Sequence, residues 1–260
     1  MRIHILYFLL AMASCKQQES KKTINPPANV YSIITPLFQQ LDSLYPYITV
    51  DGDSLNQNIA DTLIKYRETI MSLPDSSGLK EPLIIKSQDQ QFCMVSWNTR
   101  QGGTNTDNRA LILFKTSKGI VYRYPADTAA YASTQIMYRD IYELQTGNKV
   151  IYIARGYGRG SSALPWEQLT AWIIRNDSLI PEPIFPEMSD TEYTYRNDSY
   201  SPALFIEFDN HYNSGPDERP VTEFANQNKK IKVPIPNEHG GWSDKFCGME
   251  FDGERYRVVK

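Results

Sequence analysis

Histidine is almost missing from this chain: three occur in 260 residues, and only His211 and His239 lie beyond the N-terminal apolar run. They are too far apart for the H-x-x-x-H spacing that sets two imidazoles on one helix face around a metal. Asp209 and His211 stand two apart in FDNHYN and could share the face of a strand end, but a polar loop accounts for the same residues. There is no G-x-S-x-G elbow to present a nucleophilic serine. The glycine-rich RGYGRGSS, residues 155–162, has neither the G-x-G-x-x-G spacing nor the following helix that would cradle a phosphate, and it reads as flexible loop. Basic residues form no dense run and the net charge is −3, which offers little to a nucleic acid backbone. No cofactor is implied.

Long hydrophobic runs are missing too. The one at residues 3–12, after Arg2, is about half of the roughly 20 residues that a membrane-crossing helix needs. A charged start, a short apolar middle and small residues at Ala13 and Ser14 read as a secretory signal over residues 1–14. Cys15 follows at once. This is the arrangement of a bacterial lipoprotein signal, with Met12 where Leu is usual; an ordinary signal followed by a chance cysteine is the alternative. The expectation is that Cys15 carries lipid, palmitate included, that its acyl chains hold the protein on a membrane, and that residues 15–30 form a flexible tether. The location so implied is the bacterial cell envelope, as an outer-membrane lipoprotein facing the periplasm or the outside.

What is present in quantity is patterning. Thr35-Pro36 offers a cap and a first-turn proline for a helix through Leu37, Phe38, Leu41 and Leu44, stopped by Pro46. After Asp53, the residues Leu55, Ile59, Leu63, Tyr66, Ile70 and Leu73 step by threes and fours along one helical face, to a stop at Pro74. The acidic VDGDS lacks the ligand ladder of a calcium loop and reads as capping. Residues 31–80 are therefore expected to be a helical pair packed on a β domain spanning 81–260.

From residue 82 the period changes to strands joined by tight turns. Five hairpins are predicted: LILFK-TSKG-IVYRYP, IYELQ-TGNK-VIYIA, AWIIR-ND-SLIPEPI, VTEFA-NQNK-KIKVPIP and CGMEF-DG-ERYRVVK. The strands also recur. Aligning Val95, Ile151 and Phe205 gives steps of 56 and 54 residues, and LILF, VIYIA, AWII and ALFI are apolar on both faces, as in sheets stacked between neighbours. The fold class expected is mainly β: an antiparallel meander of about three four-stranded, propeller-like units plus a C-terminal hairpin, preceded by two α-helices. A β-sandwich is the alternative.

The recurrence places three long loops at equivalent positions, residues 98–108, 156–167 and 210–219, and insertions of that kind project from one face. The candidate binding face comprises Arg100, Asp107, Arg159, Trp166, Glu167, His211, Asp217 and Arg219, with Trp166 available to stack on a sugar ring. The competing reading makes Trp166 core and the rest solvated. Function is then a non-enzymatic binding module for a protein or glycan partner. The alternative is a glycan- or peptide-directed hydrolase using loop carboxylates such as Glu207/Asp209 or Asp217/Glu218, since glycoside cleavage needs two. Cys93 and Cys247 lie in apolar alternating stretches outside the cytoplasm; they form a disulfide if closure brings the first unit and the last hairpin together, and otherwise are buried thiols.

At SWNTRQGGT, residues 96–104, the chain resembles lipoproteins and secreted proteins of Bacteroidetes that carry S-W-[DN]-T-x-x-G-G-T. VIYIARGYGRGSS and MEFDGERYRVV look like the same family, so the resemblance covers roughly residues 85–259. It implies an envelope protein and brings no activity with it.

Overall fold

The structure, a computed structural model, describes residues 30–44, 50–73, 81–103, 105–125, 135–188, 194–213 and 219–259. The signal, Cys15, most of the tether and Asp217 lie outside the described residues.

The N-terminal layer is helical. In α1 (Val30–Leu44) the residues Val30, Ile34, Phe38 and Leu41 fall on one buried face. Burying Val30 and Ile34 extends the helix a full turn and more before the expected Thr35 cap, so Pro36 sits inside it. Likewise Asp53 lies within α2 (Val50–Lys65) rather than capping it. The single expected second helix breaks at Tyr66, and α3 (Arg67–Ser72) follows. Leu73, ahead of Pro74, is extended as a pre-proline residue prefers. The buried Lys86 ammonium meets the carbonyls of Met71 (3.0 Å) and Leu73, where cationic charge complements a helix C-terminus.

Among the described residues fifteen strands follow in four antiparallel sheets. The first is the meander β1 (Leu83–Lys86), β2 (Phe92–Asn98), β3 (Asn108–Thr116) and β4 (Gly119–Arg123). The second is the meander β5 (Met137–Gln145), β6 (Val150–Arg159), β7 (Pro165–Arg175) and β8 (Ser178–Pro181), joined by β11 (Ala203–Glu207). A hairpin of β9 (Phe185–Met188) and β10 (Tyr195–Ser201) makes the third, and the fourth is the meander β12 (Glu223–Ala225), β13 (Lys230–Pro234), β14 (Phe246–Phe251) and β15 (Tyr256–Val258). All five predicted hairpins form. The turn Asn176-Asp177 has φ of 51° and 60°, the left-handed pair that a two-residue hairpin with right-handed twist requires.

The expected third unit is framed differently. β11 does not pair with β12; it lies against β7, with Phe205 opposite Gln168. The cause is the length of β7. β8 pairs only with Trp172–Arg175 of β7, leaving the stretch from Trp166 to Thr170 as open edge, which β11 fills. The fourth sheet then joins β12–β13 to the C-terminal hairpin, so that hairpin is not left over.

The layers stack. Cys93, Val95, Trp97, Leu111 and Leu113 face the helices, while Phe92, Met94, Ile112 and Phe114 face Tyr138, Tyr152, Ala154 and Trp172 of the second sheet. The other side of the second sheet, with Leu144, Ile151, Ile153 and Ile173, packs on Phe185, Ile231, Val233, Met249 and Tyr256. Buried Asn56 ties α2 to the first sheet: its amide donates to Thr99 O (3.0 Å) and its carbonyl accepts from Trp97 Nε1 (2.9 Å). The outer face of the last sheet is charged, with Lys230–Glu250 and Lys232–Glu223 pairs at 3.5 Å each. Helices cover one end of the stack and charges the other, so the described sheets close into no ring. Cys93 faces the helical layer and Cys247 the last core, and no disulfide joins the two, which leaves the buried-thiol reading for this pair. No described helix is long and apolar enough to cross a membrane.

Candidate binding cleft

The loops joining β2 to β3, β6 to β7 and β11 to β12 meet at one end of the stack. Thr106 N–H donates to Arg159 O (3.2 Å), Asn210 N–H to Ala163 O (2.8 Å) and Asp209 N–H to Gly240 O (2.9 Å). The last bond brings in the β13–β14 loop, the true counterpart of the first two in the fourth sheet. Gly241 permits this junction, since a Cβ there would stand 1.9 Å from Tyr212 O.

Between these loops lies a cleft of about 720 Å³. Its first wall is Asn98, Thr106 and Asn108, from the β2–β3 turn. Tyr157, Gly158, Arg159 and Pro165 come from the β6–β7 end, and Asn210, Arg219 and Trp242 close the far side. Arg139 enters by a local irregularity. In the β5–β6 ladder Tyr138 opposes Gly156 and Asp140 opposes Arg155, so Arg139 is an extra residue, a β-bulge. The bulge also explains why Tyr138 and Leu144, of equal parity along β5, belong to opposite cores. Bulges re-aim side chains at strand ends, and here an exposed arginine reaches the cleft.

The residues named from sequence divide. Arg159 and Arg219 both line the cleft. Arg100 does not; with φ of 62° it turns toward α1, and its guanidinium clamps Asp42 (2.8 Å) and Glu81 (2.9 Å). Asp107 closes its own loop, accepting from Thr99 N–H through its carbonyl (2.9 Å). His211 is exposed, its Nδ1 2.8 Å from Asp209 Oδ1. Trp166 is core, 4% exposed, and Glu167 is fully buried. Both belong to β7, flanked on either side by β6 and β11, which is why neither reaches the surface. Residues 155–159 of the glycine-rich run are strand and not flexible loop, because β6 continues to Arg159, and Gly158 supplies the space that the Trp166 ring occupies; residues 160–162 lie in the β6–β7 loop.

Under the cleft floor is a polar layer. Arg155 binds Asp140 (2.7 and 2.8 Å) and donates to Thr222 O (2.8 Å). The Tyr157 ring has the Arg155 guanidinium 5.8 Å and the Arg219 guanidinium 5.0 Å from its centroid. Burial, followed by the nearby Glu167 charge, pushes the Tyr157 phenol up to about 12. Glu167 accepts from Thr222 N–H at 3.1 Å, yet burial still raises its pKa. Arg219 is pulled below its ordinary value by burial and by the neighbouring Arg159 charge, Glu167 and Tyr157 opposing. Arg139 and Arg159 have no carboxylate within ion-pair distance among the described residues, whereas Glu81, the one carboxylate of the described lining, is held by Arg100. The described residues contain no group of three His, Cys, Asp or Glu fit to hold a metal. Bulge-borne Arg139, Trp242 and the asparagines were missed in sequence; only pairing register reveals the bulge.

Comparisons with family models, with curated proteins and with solved structures find no match to this chain.

Proposed function

We propose that this protein is a membrane-anchored cell-envelope lipoprotein, held by lipid on Cys15, that binds a protein or glycan partner through the loop end of its β stack. In that reading the meanders are propeller-like units in an open array, with their loops gathered as a recognition surface. The observation that carries it is the cleft itself: concave, built from the ends of two sheets and the loops leading into and across a third, and lined by Arg139, Arg159 and Arg219 against one carboxylate among the described residues, the already clamped Glu81. Binding sites favour such places, concave and with a few convergent polar groups. A glycosidase would need two carboxyl groups about 5–10 Å apart in the cleft, and its described lining contributes one. The Glu207/Asp209 pair lies outside that lining.

Two measurements test the reading separately. A palmitate analogue fed to cells should label the wild type and not Cys15→Ala; equal labelling ends the anchor. A pull-down from envelope extract should recover a partner with the wild type and lose it with Arg159→Ala; equal recovery ends the assignment of the partner to this cleft.

A further inference from the structure

Resting on the loop-end reading above, we propose that the cleft recognises a carboxylated sugar, the carboxylate held by Arg139, Arg159 and Arg219 and the ring hydroxyls by the asparagine wall. Three observations converge. First, guanidinium groups from three separate places, a bulge, a strand end and the segment entering β12, line one hollow. Arg139 and Arg159 are exposed and Arg219 half-buried. The chain as a whole is acidic, with net charge −3, so this local excess of positive charge is not a by-product of composition.

Second, like charges gathered in a concave, partly dry site repel, and the Arg159 charge is felt at Arg219. An anion relieves that repulsion, and guanidinium forks match a planar carboxylate with two parallel hydrogen bonds. Tyr157 keeps Arg219 in place by stacking rather than by neutralising it.

Third, the rest of the lining is suited to hydroxyls. Each asparagine uses one amide atom within the protein, Asn98 Oδ1 accepting from Arg100 N–H (2.8 Å) and the Asn108 and Asn210 amides donating to Gln135 O (3.0 Å) and Ser162 O (3.3 Å). The other atom of each is what a hydroxyl would meet, and the buried Thr106 Oγ1 and Asn210 Oδ1 have no hydrogen-bond partner among the described residues. Trp242 adds a half-buried indole to the wall. A bare inorganic anion would use the arginines and leave these groups idle, whereas a uronic acid uses both sets. At about 720 Å³ the cleft falls within the roughly 300–1,000 Å³ of sites that hold a drug-sized ligand, well beyond the needs of a single small ion.

The full chain in detergent, titrated calorimetrically, decides the matter. The probes are oligogalacturonate, glucuronate-containing hyaluronan oligosaccharides, neutral galactose oligomers of the same length, and inorganic phosphate. The inference expects at least one acidic sugar to bind at least 10-fold more tightly than the neutral oligomer, and expects affinity to fall 10-fold or more in Arg139→Ala and in Arg159→Ala. Both sites are exposed, and circular dichroism verifies that both variants fold. Equal affinity for acidic and neutral sugars overturns the charge assignment while leaving the loop-end site standing. Phosphate binding as tightly, with the same arginine dependence, overturns the sugar and leaves only an anion site. Binding of none of the probes overturns the inference, and the envelope pull-down then judges the loop-end reading by itself.

Discussion

Gly158 and Trp166 face each other across the β6–β7 ladder, and the indole lies where a Gly158 side chain would be: an added Cβ would stand 1.9 Å from Trp166 Cζ2. The pair sets the cleft floor, because Gly158 lines the cleft and Trp166 anchors the core beneath. Overpacking of this kind costs on the order of 1–3 kcal/mol. Gly158→Ala should therefore lower the urea midpoint strongly. Gly160→Ala, where the nearest atom is 3.8 Å from an added Cβ, should change stability by no more than about 0.5 kcal/mol. Equal midpoints for the two variants would show that the strand gives way more easily than its packing implies.

Asn56 holds the helical layer to the first sheet through two buried hydrogen bonds, to Thr99 O (3.0 Å) and from Trp97 Nε1 (2.9 Å), and its amide also donates to Gly52 O of its own helix (2.8 Å). Asn56→Ala leaves the Trp97 N–H and the Thr99 carbonyl buried without that partner. A loss of about 2–4 kcal/mol follows from the cost of unsatisfied buried groups. Thermal unfolding reads it, and a shift of less than about 2 °C would mean that the two layers are held by apolar contact alone.

Glu167 makes stability depend on pH in a stated direction. Burial raises its folded-state pKa above the ordinary 4.5, opposed by Thr222, Arg155 and Arg219. Between those two values the folded protein binds more protons than the unfolded chain, so its stability falls as pH rises from about 4.5 through the raised value. Glu167→Gln keeps an acceptor for the Thr222 N–H and removes the titration. The stability difference between variant and wild type should therefore grow in the variant's favour from pH 4 to pH 7. A constant difference over that range would mean that the Glu167 carboxyl titrates as it does unfolded.

The cysteines should behave as two unlike thiols. Cys93 is fully buried behind the helices, and Cys247 is half-buried with its thiol pushed up by burial. Digestion without reduction should yield Cys93 and Cys247 peptides separately, and native alkylation should modify Cys247 before Cys93. A cross-linked peptide pair would contradict the layered arrangement, which sets them in different cores.

Local pattern carried the reading of this chain a long way. Turn residues such as Asn176-Asp177 announce hairpins because few residues accept their backbone angles, and all five announced hairpins are present. Strands apolar on both faces, such as Ile151 to Ala154, told of sheets covered on both sides. Which strand hydrogen-bonds to which is a different kind of information. ALFI reads as apolar on both faces, yet only Leu204 and Ile206 are buried and Phe205 is 44% exposed, and nothing in the pattern says that the open edge of β7 is their partner. The error in framing the third unit follows from that gap. The same holds for Trp166 and Glu167: their residue types suit a surface site, and only the strands on both sides of β7 put them inside. Pro36 reads as a helix start because its own preference is local, while the contacts of Val30 and Ile34 that extend α1 are not.

On the proposed function the loop end, and not the charged outer sheet, is where this protein meets its ligand. Photo-cross-linking residues placed at Ser162 and His239 on the loop end, and at Lys232 and Glu250 on the outer sheet, compare the two surfaces in living cells while leaving the cleft arginines in place. Adducts concentrated at 162 and 239, and reduced by Arg139→Ala, are the expected result. Adducts formed chiefly from 232 and 250, with none at the loop end, would contradict it.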